Sequence, residues 1–325
     1  MIAPLPLEAS PFFVLDRADG VRDDRGMSYQ AAEQQLWNRF GQQPSDRFIQ
    51  LERPPVKLRV VEAGSGSPLV FIGGTGGTGA YWAPLVRELS GFRCLLMDRP
   101  GWGLSSEVDY SLYEFKTLVT DILRGVLDAL DLDRVSLVGA SIGNLWALRL
   151  AQIEPDRVDR IVLLGGSPNR EIPVPRFVRL LASPLGKLMV TLPMRQKMLV
   201  SQLRAIGHGP SVDAGKMDDF LPWRLSLSNE SRSLVSERNM IRALLGKDGF
   251  KPGLTFDDGD LAEIKAPTLM IYGTADSTGD ASIWQRFVDQ LPRGELEVFE
   301  GLGHMPWWDD PQLVGREVAS FLKGG

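Results

Sequence analysis

A serine near the middle of the chain has the surroundings of a catalytic nucleophile. Ser141 is the centre of a G-x-S-x-G motif, GASIG at residues 139–143, which directly follows the apolar run Val135–Val138. An apolar helical pattern over residues 145–151 comes next. This order predicts a sharp turn from strand to helix, which can close because the residues two positions either side of the serine are glycines. N–H groups at the start of the helix would then point at the serine oxygen. An inert serine in a tight turn is the alternative.

A base must remove the serine proton before the hydroxyl becomes a good nucleophile. The chain has only two histidines. His304 lies in the sequence GLGHMP at residues 301–306, after the last predicted strand, whereas His208 lies in a Gly-His-Gly-Pro sequence within a long region of helical pattern. We therefore predict that His304 is the general base, and we interpret His208 as an ordinary loop residue.

A carboxylate is then needed to fix the tautomer of the base and to stabilise its charged form. Asp276 follows the apolar run Thr268–Tyr272, and 28 residues separate it from His304, which is room for one helix and one strand. The loops after successive parallel strands meet at the same edge of a sheet, where ligands bind in open α/β folds. Asp276 is thus the predicted third member. Asp280 is a nearby competitor, and a solvated turn residue is the alternative role for Asp276.

A glycine-rich loop permits a different chemistry. Residues 73–79, GGTGGTG, follow the apolar run Leu69–Ile72, and residues 74–79 satisfy G-x-G-x-x-G. With Asp98 at the end of the next strand, this pattern is typical of dinucleotide-binding proteins and would predict a dehydrogenase. Two observations oppose it. Pro84 would break a helix that began inside the motif, and another strand already precedes this one. The Walker A motif of nucleoside triphosphatases is not matched, because no lysine follows the glycines.

The elements that must position these residues alternate along the chain. Continuous apolar runs are typical of parallel strands buried on both faces. The predicted strands are Lys57–Glu62 (an outer strand), Leu69–Ile72, Cys94–Met97, Val135–Val138, Ile161–Leu164, Thr268–Tyr272 and Leu296–Phe299. Helical spacing over residues 115–130 predicts a helix, and Pro311–Leu322 is the predicted closing helix.

One interval interrupts this alternation. Residues 168–257 contain helical patterns but no run that fits the sheet, which indicates an inserted helical cap. Over residues 168–255, 14 Lys and Arg stand against 7 Asp and Glu, a charge of +7, and the rest of the chain carries −12. We divide the chain into an N-terminal extension (1–55), a first part of the core (56–167), the cap (168–257) and a second part of the core (258–325).

These motifs resemble those of the α/β-hydrolase superfamily from about residue 56 to the end. The resemblance is carried by GASIG, by GLGHMP with Asp310 and Pro311 downstream, by the segment PTLMIYGTAD that ends at Asp276, and by DRPGWGLS at residues 98–105. It implies an α/β-hydrolase fold, a mostly parallel sheet with helices on both faces and an inserted helical cap. The order Ser, Asp, His agrees with this fold.

The resemblance also implies further site residues. The oxyanion hole would be formed by the backbone N–H groups of Ile142 and Thr75, and candidate substrate contacts are Gly74, Trp82 and Met305. Two positions depart from the family pattern, since Asn144 stands where a second glycine is frequent and Gly73 stands where a histidine is common.

The sequence therefore predicts a serine hydrolase that cleaves a carboxylic ester, or a similar acyl bond, of a small to medium hydrophobic substrate through an acyl-enzyme. Alternatives are a carbon–carbon bond hydrolase of the same fold, a non-catalytic ligand-binding member and, least favoured, the NAD-dependent dehydrogenase of the glycine motif. No cofactor and no metal are expected. The acyl and alcohol groups, the oligomeric state and the role of residues 1–55 are not predicted.

Composition limits the remaining classes. A net charge of −5 is too mild to indicate a nucleic-acid partner, and the single cysteine, Cys94, excludes an internal disulfide. The first twenty residues lack a basic start and contain three prolines, so no signal peptide is expected. No apolar stretch is long enough to span a bilayer. We expect a cytoplasmic protein, with contact between the cap and a membrane surface as the weaker alternative.

Overall fold

An eight-stranded sheet forms the centre of the computed structural model, which describes residues 28–324 except 173, 175 and 257. The strands are β1 (Ser45–Glu52), β2 (Pro55–Gly64), β3 (Ser67–Ile72), β4 (Phe92–Met97), β5 (Val135–Ala140), β6 (Val158–Leu164), β7 (Thr268–Gly273) and β8 (Gly294–Phe299). Their spatial order is β1-β2-β4-β3-β5-β6-β7-β8. β2 runs antiparallel to both β1 and β4, and all other neighbours are parallel. The carboxyl ends of β3 to β8 therefore share one edge.

All seven predicted strands are present, and the fold is the expected one. One expectation about position is wrong. The strand over Lys57–Glu62 is not the outer one, because residues 45–52, which the sequence analysis places in the extension, form β1 and pair with β2 along its whole length. The physical reason is that Ile49 and Leu51 on β1 are buried, so this strand has its own apolar side to place against the core.

Helices cover both faces of the sheet. Outside the cap they are α1 (Tyr29–Arg39), α2 (Ala83–Glu88), α3 (Phe115–Ala129), α4 (Ile142–Ile153), α12 (Ala281–Val288), α13 (Pro306–Asp309) and α14 (Pro311–Lys323). One core cluster contains the apolar sides of α3, α4 and α12, and the other contains those of α1, α2 and α14. This arrangement explains why the central strands are apolar throughout, since both of their faces are buried.

The cap lies between β6 and β7 and is helical. Its helices are α5 (Arg176–Ala182), α6 (Pro184–Met189), α7 (Gln196–Ala205), α8 (Gly209–Asp213), α9 (Phe220–Glu230) and α10 (Ser233–Leu244). The short helix α11 (Asp258–Ala262) follows, within the second part of the core. A bridge between Leu245 and Phe250 is the only extended pairing among the described residues of the cap.

The first helix joins the core to the cap. The Ser28 side chain caps α1 by accepting the N–H of Ala31 (3.3 Å). The N–H of Tyr29 donates to the Glu230 carboxylate of α9 (2.8 Å), and Arg39 forms an ion pair with Asp219 (3.1 Å). The helix α1 thus packs against both the sheet and the cap.

Candidate active site

Ser141 lies on a strained turn between β5 and α4. Its backbone has φ 52° and ψ −119°, a conformation that costs an ordinary residue about 1–3 kcal/mol. The small neighbours allow the turn to pack tightly. A Cβ on Gly139 would lie 2.9 Å from Asn144 Cα, and a Cβ on Gly143 would overlap the carbonyl oxygen of Ile72. This geometry is that of a nucleophile turn, in which strain is tolerated to expose a side chain.

The predicted base and acid form a hydrogen-bonded pair. His304 Nδ1 lies 2.8 Å from Asp276 Oδ2. Since an ionised carboxylate can only accept, Nδ1 carries the proton and Nε2 is left to serve as the base. Burial by itself raises the pKa of Asp276, but the nearby His304 charge and the hydrogen bonds outweigh it, so the pKa lies below its ordinary value. For His304, burial by itself lowers the pKa. The charge of Asp276 and its hydrogen bond raise the pKa by a larger amount, so the pKa of His304 lies above its ordinary value.

Two glycines after β6 lie between these groups and the turn that carries Ser141. The N–H of Ser141 donates to the carbonyl oxygen of Leu164 (3.2 Å), and a Cβ on the next residue, Gly165, would overlap the carbonyl oxygen of His304 and lie 3.3 Å from its Nδ1. Gly166 donates its N–H to Asp276 Oδ2 (2.9 Å). The loops after β5, β6, β7 and β8 therefore meet at one point. Sequence analysis did not single out Gly165 and Gly166, although two successive glycines after a strand were a usable signal.

The glycine-rich loop after β3 lies against the nucleophile turn. A Cβ on Gly74 would lie 2.9 Å from the Cβ of Ser141. The loop is held by a buried ion pair of Arg99 and Glu237 (3.5 Å). Arg99 donates to the carbonyl oxygen of Gly74 (2.8 Å), and the Thr75 hydroxyl donates to Glu237 (2.7 Å). The two predicted oxyanion donors, the N–H groups of Ile142 and Thr75, are thus on segments that meet at Ser141.

The geometry of this loop does not suit a dinucleotide. The helix α2 begins at Ala83, after a short 3-10 helix over Gly79–Trp82, and not inside the glycine motif. Asp98, the candidate ribose ligand, is buried, accepts the N–H of Gly79 (2.9 Å) and lies 3.4 Å from Arg59. The glycines serve close packing instead, and the aspartate organises a turn.

A buried arginine of the cap also reaches this loop. Arg224 on α9 is 7% exposed, and a Cβ on Gly76 would overlap its guanidinium. Its Nη1 donates to the Ser228 hydroxyl (2.6 Å), and it forms no ion pair with any residue that the structure describes. Burial lowers the pKa of Arg224 to about 10, which still leaves it charged at neutral pH. Arg224 is not among the predicted site residues, because it is one of fourteen cap cations and no local motif marks it.

Two candidate substrate contacts are placed in the interior. Trp82 is fully buried and stacks on Trp307, with ring centroids 4.7 Å apart, so it belongs to an aromatic cluster of the core. Met305 is 3% exposed. Contact of either side chain with substrate stays a prediction. The interpretation of His208 as an ordinary loop residue needs correction, because its side chain is fully buried and lies 2.9 Å from Asp309.

Metal sites and membrane-spanning helices are two further features that bear on function. No group of three side chains there has the composition and proximity of a metal site. None of the helices in the same residues combines the length and apolar character needed to cross a bilayer.

Comparison with known sequences places this site in context. The profile of the alpha/beta hydrolase fold matches residues 67–311. A 2-hydroxy-6-oxononadienedioate/2-hydroxy-6-oxononatrienedioate hydrolase of Paraburkholderia xenovorans is 30% identical over 291 residues, covering 86% of this chain and 95% of that protein. The protein of the same name from Cupriavidus pinatubonensis is 28% identical over 290 residues, with coverage of 86% and 95%.

Solved structures show the same fold. The 2-hydroxy-6-oxo-6-phenylhexa-2,4-dienoate hydrolase of a Rhodococcus species superposes with a TM-score of 0.71 at 18% identity, covering 87% of this chain and all of the other. A carboxylesterase of Bacillus subtilis gives a TM-score of 0.70 at 20% identity, with coverage of 91% and 98%. At these identities the likeness concerns the fold alone.

Proposed function

The chain belongs to the α/β-hydrolase family, and from this we propose that it is a serine hydrolase that cleaves a carbon–carbon bond next to a ketone in a small, carboxylate-bearing substrate. The relatives that cover most of the chain are named as hydrolases of dienedioates, which carry two carboxylates. This favours the carbon–carbon alternative over the ester hydrolase that the sequence analysis put first.

The buried guanidinium of Arg224 is the observation that carries this proposal. It lies over the loop that touches Ser141, and the carboxylate that raises its pKa, that of Glu237, is already in an ion pair with Arg99, so one negative charge serves two buried guanidinium groups. A buried cation of this kind needs an anion, because an uncompensated charge in the interior is costly. A neutral hydrophobic ester would leave it unmatched, whereas a substrate carboxylate would complete the pair.

The proposed first step is attack by Ser141. As its Oγ bonds to the ketone carbon, His304 Nε2 takes the hydroxyl proton, and the oxygen of the carbonyl becomes an anion facing the N–H groups of Ile142 and Thr75. Asp276 holds the Nδ1–H and stabilises the imidazolium that forms. One donor of an oxyanion hole typically contributes about 10²–10³ in rate.

The carbon–carbon bond then breaks as the carbonyl re-forms. Its electron pair leaves with the carbon fragment, where a second carbonyl delocalises the charge as an enolate; in a 2-hydroxy-6-oxo-diene this carbonyl exists once the C2 enol has tautomerised to the ketone by protonation at C5. His304 then returns the proton to that fragment. The other fragment stays on Ser141 as an ester. Water, deprotonated by His304, adds to this ester. As the bond between the acyl carbon and Ser141 Oγ breaks, His304 returns that proton to Oγ, which releases a carboxylic acid and restores the serine.

The test is a direct comparison of two substrate classes. We expect the chain to convert a 2-hydroxy-6-oxo-dienedioate into two acids, detected by chromatography, and Ser141→Ala to abolish this conversion while the protein stays folded. Turnover of p-nitrophenyl esters of graded chain length with no conversion of the dienedioate would refute the proposal in favour of the ester hydrolase.

Arg224→Met tests the anion contact. A hydrogen bond to a charged group contributes about 1.5–3 kcal/mol, so we expect KM for the dienedioate to rise about 10- to 100-fold, with little change for a neutral p-nitrophenyl ester. Arg204→Met, which removes an exposed cap arginine paired with Asp213, is the matched control and should leave both values unchanged. An equal loss on both substrates would show that Arg224 is not the anion contact.

A further inference from the structure

Three successive backbone N–H groups around the base are all bound to fixed acceptors. The N–H of His304 donates to the carbonyl oxygen of Ile206 (2.9 Å), and the N–H of Met305 donates to His208 Nε2 (3.0 Å). The N–H of Gly303 donates to Asp309 Oδ2 (2.7 Å). Two of these acceptors belong to the cap, so the loop that carries the base is held by the cap and not only by the core.

His208 uses both ring nitrogens in this arrangement. Because Nε2 accepts a backbone N–H, the ring proton must be on Nδ1, which donates to Asp309 Oδ1 (2.9 Å). The same carboxylate accepts the hydroxyl of Ser211, and Lys216 Nζ donates to the backbone carbonyl of Asp309 (2.6 Å). A buried polar group is costly unless its hydrogen bonds are made, and here every nitrogen of the ring has its partner.

The turn between α7 and α8 also touches the loop of the acid. Gly207 has φ +96°, and a Cβ there would overlap the carbonyl oxygen of Ala275, the residue before Asp276. On the other side, a Cβ on Gly303 would lie 2.7 Å from His208 Cε1. The turn therefore lies between Ala275 and Gly303, the residues that immediately precede the acid and the base.

We propose that His208 is a positioning residue, which, together with Asp309, holds the backbone of the base so that His304 keeps its orientation toward Ser141. This role rests on the proposed function, because it acts only through His304. It also makes the α7–α8 turn of the cap a part of the catalytic arrangement. Any movement of the cap that admits substrate must then spare this turn and occur in its other helices.

The test compares two conservative variants in the full chain. In His208→Gln the side-chain oxygen can reach the position of Nε2 and accept the N–H of Met305, whereas in His208→Asn the shorter side chain can replace only the Nδ1 contact to Asp309. The measurements are the rate constant for labelling of Ser141 by a fluorophosphonate and the melting temperature. Misplacing a reacting group by about 1 Å can cost about 100-fold in rate, so we expect His208→Asn to label about 10- to 100-fold more slowly and His208→Gln to recover most of the rate.

A stability control separates positioning from folding. Leu203→Ala removes a buried cap side chain of α7 that makes no side-chain hydrogen bond, and we expect it to lower the melting temperature while labelling proceeds at the wild-type rate. If both His208 variants label at the wild-type rate, or if both are slowed equally, the proposed role is overturned. His304→Ala distinguishes the two proposals, because wild-type labelling in that variant would refute the role of His304 itself, whatever the His208 variants do.

Discussion

The carboxylate of Asp276 is fixed by hydrogen bonds from three directions. Oδ2 accepts from His304 and Gly166, and Oδ1 accepts from the N–H (2.9 Å) and the hydroxyl (2.8 Å) of Thr278. Its lowered pKa keeps it ionised near neutral pH. A carboxylate that is charged and cannot rotate is suited to select one tautomer of the neighbouring imidazole.

The His304 pKa leads to a prediction about pH and activity. The base must be neutral to accept the Ser141 proton, and Asp276 raises the His304 pKa above its ordinary value. We therefore expect kcat/KM to rise with pH along a limb centred above about 6.5, the ordinary pKa of histidine. Asp276→Asn removes the charge and should shift this limb to lower pH, besides lowering the rate. A limb that does not move in this variant would contradict the pairing.

The contribution of the Asp276–His304 pair to the free energy of unfolding should fall with pH where activity rises. A raised His304 pKa means that its contribution is fully present below the unfolded value and is lost as pH rises through the folded value. A lowered Asp276 pKa means that its contribution is present above the unfolded value and is lost as pH falls through the folded one. The pair thus contributes most between about pH 4 and about pH 6.5. Melting temperatures of wild type and Asp276→Asn, measured across pH, should differ most in that window.

At the scale of elements, a buried cluster of charges ties the first helix to the sheet. Arg59 on β2 lies 2.7 Å from Glu33 on α1, 2.7 Å from Asp46 on β1 and 3.4 Å from Asp98 at the end of β4. Arg59, Glu33 and Asp98 are each 5% exposed or less. One guanidinium therefore contacts carboxylates from three elements, and burial raises the pKa of the Asp98 carboxyl to about 7.

Arg59→Leu should be strongly destabilising. It leaves buried carboxylates without their cation, which typically costs about 3–5 kcal/mol. Chemical denaturation followed by tryptophan fluorescence would measure the loss in free energy of unfolding. Arg134→Leu is the control, since the ion pair of Arg134 with Asp159 is exposed at the surface and such pairs contribute about 0–1 kcal/mol. Equal effects of the two substitutions would contradict the importance of the buried cluster.

At the scale of the whole molecule, charge is divided between the two parts of the chain. Residues 168–255 carry +7, whereas the remainder carries −12. The cap covers the carboxyl edge of the sheet, as the contacts of Arg224 with Gly76 and of His208 with Met305 show. The basic part of the molecule therefore lies over the predicted site.

This division predicts a salt effect that depends on substrate charge. Fields from charged groups are screened within about 10 Å at 0.1 M salt, so the cap dominates close to the site at low ionic strength. We expect kcat/KM for a dienedioate to fall several-fold as salt increases from about 0.02 M to about 0.3 M, while a neutral ester shows no trend. An increase with salt would mean that the acidic core governs the approach instead.

Much of this arrangement is determined by sequence alone. The strands are apolar throughout because both faces are covered, and this gave their positions without knowledge of their neighbours. Ser141, Asp276 and His304 are predicted as site residues because each follows a predicted strand, and parallel strands bring such residues to one edge of the sheet. Ile49 and Leu51 alternate with polar residues, which is also a local signal of a strand, although this segment is predicted as part of the N-terminal extension.

Tertiary structure decided the contacts that span the cap and the core. His208 and Asp309 are 101 residues apart, and Arg224 meets a glycine of a loop near the start of the sheet. No local period or motif marks such residues, because their role depends on where a separate layer of helices comes to rest on the sheet. Packing of the cap onto the core makes His208, predicted to be an ordinary loop residue, a buried partner of the loop that carries the base, and it places one of fourteen cap cations against the glycine-rich loop.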